Sequence, residues 1–205
     1  MALDTTVIAA MSKWPDVPDV YNWLMLDARG RYRVRARDYE TSRRFDTIGN
    51  AAVVEFIARN TAHDGTGRWY FQNGPQRVFL NFEVTPLVAR LQPQGMPLLH
   101  TGTPVNRIDA VWIDEHAAAT LETDAGPALI DDRDNSAFLT GLKPLAGAVL
   151  YDLLIEEWLQ EPVSGVMQWE VCGLRVPVNA IVRAQLSRHF GFHAAPQPPA
   201  GATDC

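Results

Sequence analysis

A chain of 205 residues, 47% hydrophobic and 20% charged, is sized for one large domain or two small ones and does not have the composition of a disordered protein. Its net charge of −6 argues against bulk nucleic-acid binding, which is driven by phosphate neutralisation. Two cysteines, Cys172 and the final Cys205, argue against a disulfide framework and fit a reducing cytoplasm. No signal peptide is expected from Met1 to Ile8, which carry Asp4 and no early Lys or Arg, and no apolar run approaches the ~18 residues of a membrane span.

Hydrophobic periodicity predicts β-hairpins with interspersed helices. The first hairpin pairs Tyr21 to Leu26 with Arg31 to Ala36 around a turn at Asp27 to Gly30. A helix is predicted roughly from Ile48 to Asn60, with Phe45, Ile48, Ala52 and Phe56 on one side and Glu55 paired with Arg59 on the other. The second hairpin pairs Arg68 to Gln72 with Arg77 to Glu83 around Asn73-Gly74-Pro75-Gln76, a strong turn signal between two aromatic, β-branched runs. Pro86 limits Leu87 to Leu91 to an edge strand at best. Gln92 to Pro104, with three prolines and two glycines, is the best linker candidate.

A third hairpin pairs Asp109 to Ile113 with Ala118 to Thr123. A short strand, Pro127 to Ile130, then leads into a helix opened by Asp131 or Asp132. The clearest helical pattern runs from Leu145 to Gln160, with Val149, Leu150, Leu153, Leu154 and Trp158 on one face. A fourth hairpin, Met167 to Val171 and Leu174 to Val178, turns at Cys172-Gly173. A final helix is expected between an Asn179 N-cap and Gly191. From Ala194 onward, prolines and small residues predict a disordered tail.

The fold class expected is α+β. Two small subdomains of hairpins packed on helices, 1–95 and 105–193, precede the tail 194–205. Trp23, Trp69, Trp112 and Trp169 each fall in the first strand of a hairpin, a weak internal repeat.

The string Gly67-Arg68-Trp69-Tyr70-Phe71-Gln72-Asn73-Gly74-Pro75-Gln76-Arg77-Val78 resembles the signature of an uncharacterised proteobacterial family of unknown function. Trp14 to Pro18, Glu122 to Asp134 and Val176 to Phe192 agree with it. In layout the chain is also similar to small bacterial domains of unknown function with duplicated β-rich halves and a link to signalling. These resemblances imply a two-subdomain α+β fold in a bacterial cytoplasm and carry over no activity, cofactor or catalytic residue.

The densest charge lies in residues 29–44, where seven arginines face Asp38 and Glu40; this local +5 stands against −11 for the rest. On a strand Arg31, Arg33, Arg35 and Arg37 share one face. They could bind a phosphate, a nucleotide or an acidic protein surface. The favoured reading is simpler, a solvated strand face cross-paired with neighbouring acids. Likewise Gln72, Asn73 and Gln76, bracketed by Arg68 and Arg77, could form a recognition site on a rigid hairpin, while the simpler reading has Trp69 and Phe71 in the core and the amides serving the turn. Asp131, Asp132 and Asp134 read as helix caps before metal ligands. Gly191 separates His189 from His193, Cys172 has no CxxC partner, and neither a phosphate loop nor a GxSxG elbow occurs.

No catalytic residue, metal or cofactor is assigned. The expected function is a cytoplasmic, non-enzymatic binding or regulatory protein. It would recognise an anionic small molecule or acidic protein through Arg31, Arg33, Arg35, Arg68, Gln72, Asn73 and Arg77. An enzyme acting on an anionic small molecule, using acids between Asp124 and Asp134, is the alternative; a structural module forming a homo-oligomer is another. Nucleic acid and membrane are not expected partners.

Overall fold

The structure, a computed structural model, describes residues 3–145, 158, 160 and 164–199. It is a β-rich α+β protein with two sheets, and the chain divides into two compact units: Met1–Pro86 with Gly191–Cys205, and Leu87–Phe190. The sequence alone put the boundaries at 95 and 105, gave 191–193 to the second half and left 194–205 to neither. Among the described residues no helix is long and apolar enough to cross a membrane.

The first unit contains α1 (Thr5–Lys13), β1 (Val20–Leu26), β2 (Tyr32–Arg35), α2 (Tyr39–Ser42), β3 (Phe45–Thr47), α3 (Ala51–Arg59), β4 (Thr61–His63), β5 (Trp69–Asn73) and β6 (Gln76–Phe82). Its sheet runs β3-β2-β1-β6-β5-β4. Two antiparallel three-strand meanders join through the parallel pair β1 and β6. The expected start of α3 at Ile48 moves to Ala51 because Asn50 caps it, accepting from the amides of Ala52 and Val53. One sheet face packs on α3, with Phe56 edge-on to Phe71 at 5.5 Å between centroids. The other face carries the buried stack of Tyr21, Phe79 and Tyr70.

The second unit contains β7 (Leu87–Arg90), β8 (Leu98–Leu99), β9 (Ile108–Ile113), β10 (Ala119–Thr123), β11 (Gly126–Ile130), α4 (Asn135–Gly141), β12 (Leu142–Pro144), β13 (Met167–Val171), β14 (Leu174–Ala180) and α5 (Leu186–Phe190). The order is β12-β13-β14-β9-β10-β11-β7-β8, with β14 parallel to β9 and β11 parallel to β7. Two meanders again meet through their first and last strands, here β9 and β14.

Three expectations change here. First, β7 is an inner strand with Leu87, Val88 and Ala89 all buried. Pro86 precedes its first residue and removes no ladder bond. The presumed linker contributes β8, and the amide of Val105 donates to the carbonyl of Pro97 at 2.9 Å. Second, Asn179 is a strand residue paired with Trp112, not a helix cap; a 3-10 turn, Arg183–Gln185, opens α5 instead. Third, Ala194 to Pro199 are not a free tail, since the Ala194 carbonyl accepts from the amide of Phe82 at 2.8 Å and Pro196 is buried. Asp131 does cap the turn it precedes, accepting from the amide of Arg133. The helix expected from Leu145 to Gln160 lies almost wholly outside the described residues.

One turn recurs three times. After β1, β4 and β9 stand Asp27, Asp64 and Asp114, each accepting on Oδ1 from the amides two and four residues on. In each, the residue three places on has positive φ: Gly30, Gly67 and Ala117. The second carboxylate oxygen takes an arginine Nε, from Arg31 at 2.8 Å, Arg68 at 2.6 Å and Arg183 at 2.6 Å respectively. Turn amides and guanidinium are thus satisfied by one side chain.

Candidate functional site

The arginine run does not form an open row of guanidinium groups. Arg31 precedes β2 and is spent on the Asp27 turn. Arg33 and Arg35 do share a strand face, opposite Thr47 and Phe45 of β3. Arg33 Nη2 donates to the Phe45 carbonyl at 2.7 Å, while its Nε is buried without a partner. Arg35 pairs with Glu40 and lies over the Tyr39 ring at 4.3 Å. Arg44 reaches Asp46 at 3.2 Å and Asp38 at 3.6 Å. Arg31, Arg35 and Arg44 thus pair with acids of a turn, of α2 or of their own segment, and among the described residues no β2 arginine pairs with an acid on a neighbouring strand.

The second hairpin splits its candidates between two faces. Pairing of Tyr70 with Phe79 and Gln72 with Arg77 puts those four on one face; Phe71 with Val78 and Asn73 with Gln76 occupy the other. Arg68 is held by Asp64, and its guanidinium covers Phe79 at 5.1 Å. Burial alone would raise the Asp64 carboxyl, but hydrogen bonds from Thr66 and Arg68 outweigh it and hold the group at about 2. Gln72 is fully buried; its Nε2 donates to the Gly74 carbonyl at 2.9 Å and its Oε1 has no partner. Arg77 lies over the Tyr70 ring at 4.8 Å and has no carboxylate partner among the described residues.

In the second unit Asp131 is completely buried. Burial opposes its ionisation, yet the Arg133 hydrogen bonds hold it at about 2. Asp134 accepts from Arg90 Nε at 2.7 Å and from the Leu91 amide at 2.9 Å. Both acids are consumed by arginines and backbone. Burial pushes His100 down to about 4, so it is neutral, and its Nδ1 accepts from the Val88 amide. Among the described residues no three His, Cys, Asp or Glu side chains are grouped to hold a metal ion.

The concave feature that sequence reasoning missed is a groove in the first unit, with a volume of about 400 Å³. Val20 and Leu24 of β1, Val34 of β2, Ile48, Ile57 of α3, and Phe71 and Val78 form its apolar walls, with Trp23 alongside. Asn73 and Gln76, paired across the end of the β5–β6 hairpin, are its polar residues. Gln76 Nε2 donates to the Pro18 carbonyl at 3.1 Å, whereas the exposed Asn73 side chain has no partner among the described residues. Trp23 is 42% exposed and Val34 38%. Of the seven candidates from the sequence, only Asn73 reaches this groove. The signal was present in the alternating apolar face of the same hairpin, which reads equally well as ordinary core.

A model of a family described as "Protein of unknown function (DUF2946)" matches residues 3–197. The chain is similar in fold to the crystal structure of a DUF1285 family protein from Silicibacter pomeroyi DSS-3, with a TM-score of 0.50, 14% identity, and coverage of 88% of this chain and 97% of that one. No curated protein matches the chain.

Proposed function

The chain belongs to the DUF2944 family, whose model carries no function, and from that premise we propose a cytoplasmic, non-enzymatic binding protein whose site is the groove of the first unit. The observation that carries this reading is the groove itself: about 400 Å³, walled by apolar side chains from separate elements, with only two carboxamides for polarity. That is the common form of a small-ligand site, mostly apolar with a few placed polar groups. The exposure of Trp23 and Val34 supports it, because apolar surface beside a concavity gains from being covered.

The test is saturable binding of the neutral apolar dye N-phenyl-1-naphthylamine, compared with a Val34→Trp variant that keeps its melting temperature. Val34 is exposed enough for the larger ring to extend over the groove without overpacking the core. Saturable binding that Val34→Trp weakens at least tenfold is expected. A linear, unsaturable signal, or one indifferent to Val34→Trp, removes the reading.

A second reading, recognition of an anionic ligand or acidic protein, is supported by Arg77, which faces no carboxylate among the described residues. It requires a phosphate- or polyglutamate-dependent thermal shift that disappears in Arg77→Glu. We also read the two units as copies of one plan of two meanders joined by a helical segment. Their matching strand order and the shared aspartate turn support this.

A further inference from the structure

Resting on the groove reading, we infer that its ligand is an uncharged small molecule with an apolar body and an amide-type head, and that Asn73 and Gln76 read that head. Among the described residues no charged side chain lines the groove. A carboxylate or phosphate placed there would lose water without gaining a counter-charge, which disfavours it strongly. The nearby arginines do not change this: Arg31, Arg35 and Arg44 are paired with acids, and Arg33 and Arg77 lie on the strand faces opposite to those of Val34 and Val78 that line the groove.

The two polar side chains narrow the head group further. Asn73 and Gln76 are register partners, so their side chains stand side by side, roughly 5 Å apart at Cβ. Asn73 offers an NH₂ and a carbonyl oxygen, neither engaged among the described residues. Gln76 gives one Nε2 hydrogen to the Pro18 carbonyl, which orients the carboxamide and leaves its Oε1 as an acceptor beside one further N–H. An ester or ether could satisfy the Asn73 NH₂ but would leave Oε1 unanswered. An alcohol can donate to Oε1 and accept from the Asn73 NH₂, but through a single oxygen that cannot lie in line with both side chains at once. A carbonyl beside an N–H answers both residues at once, with the carbonyl accepting from Asn73 and the N–H donating to Gln76.

The hairpin end holds the pair in place. The loop between them is only Gly74-Pro75, with Gly74 at φ +58, so the geometry is set by a tight turn. At roughly 30 Å³ per non-hydrogen atom, about 400 Å³ accommodates roughly ten to fourteen such atoms, a medium acyl chain with its head.

Isothermal titration of the full chain with octanamide, octanoate and octanol at pH 7 tests this. The three share a chain and differ at the head. Octanamide is expected to bind at least tenfold more tightly than octanoate and severalfold more tightly than octanol. Asn73→Leu is expected to collapse those ratios to within about threefold. Asn73→Ala, which removes the carboxamide without adding a charge, serves if the leucine variant does not fold. Octanoate equal to or tighter than octanamide overturns the inference, as does parity of octanol with octanamide. A preference that survives both Asn73 variants overturns the assignment of Asn73. If the dye and all three compounds fail to bind, the groove reading falls and this inference with it; if the dye binds and the heads are not distinguished, only this inference falls.

Discussion

Gly67 takes φ +89, and a Cβ built on it would stand 2.0 Å from the Gly191 carbonyl oxygen. Nearby Gly65 has a similar φ of +79 but nothing within 4 Å. The two glycines thus separate backbone strain from close approach. Gly65→Ala is predicted to cost about 1 kcal/mol, the penalty for a left-handed alanine. Gly67→Ala adds a clash with backbone that cannot swing aside and is predicted to cost about 2–4 kcal/mol. Urea unfolding of the two variants checks this; equal losses would show that the Gly191 contact carries nothing. The sequence marks Gly67 as a loop glycine, but its reason lies 124 positions along the chain, where residue 191 returns to meet it. Local pattern carries no trace of such a contact.

At the scale of elements, the hairpins were legible because turn chemistry and period-two alternation agree within a few residues. Gly74 and Cys172-Gly173 all take positive φ where the turns were expected. β3 and β4, three residues each, are too short to show a period. The arginine strand was legible as a strand; its partners were not, because the Phe45 carbonyl reaches Arg33 only through β3 and Glu40 reaches Arg35 only through α2. The aspartate turn was half visible: the turns at Asp27 and Asp114 were expected, and the one at Asp64 was not. Its energetics are testable through pH. The Asp64 carboxyl sits at about 2 in the fold against an ordinary 3.8. The unfolded chain therefore binds the proton more readily, and the stabilisation is full above about pH 4 and lost as pH falls toward 2. Asp64→Asn should lower stability by about 2 kcal/mol at pH 7, and the gap to the parent should close near pH 2. Urea titrations at pH 7, 4 and 2.5 measure it; a gap that does not change with pH would assign the cost to lost geometry instead of charge.

At the scale of the molecule, the chain leaves its first unit at Pro86 and comes back to it at Gly191. The return is anchored. Phe192 is 6% exposed and meets Phe82 edge-on at 6.1 Å, the His193 amide donates to the Gly67 carbonyl at 2.9 Å, and the Phe82 amide donates to the Ala194 carbonyl at 2.8 Å. Composition hides this, because a stretch rich in proline and alanine reads as disorder although one phenylalanine and two backbone bonds suffice to hold it. Burying that ring contributes about 2–3 kcal/mol and the two hydrogen bonds about 1 kcal/mol each. Ending the chain after Phe190 is therefore predicted to lower the melting temperature by roughly 8–20 °C. Ending it after Pro199 keeps every one of these contacts and is predicted to shift melting by no more than about 1 °C. Hydrogen exchange locates the effect: in the shorter chain the Phe82 amide loses its acceptor and should exchange faster, while amides of β9 and β10 keep their protection. If both truncations melt alike and Phe82 stays protected, the first unit closes without its C-terminal segment, and 1–86 would be expected to fold alone. If only the shorter one is destabilised, the first unit is complete only when residues 191–199 have joined it, and the stability of the unit that holds the groove between α3 and its sheet depends on that segment.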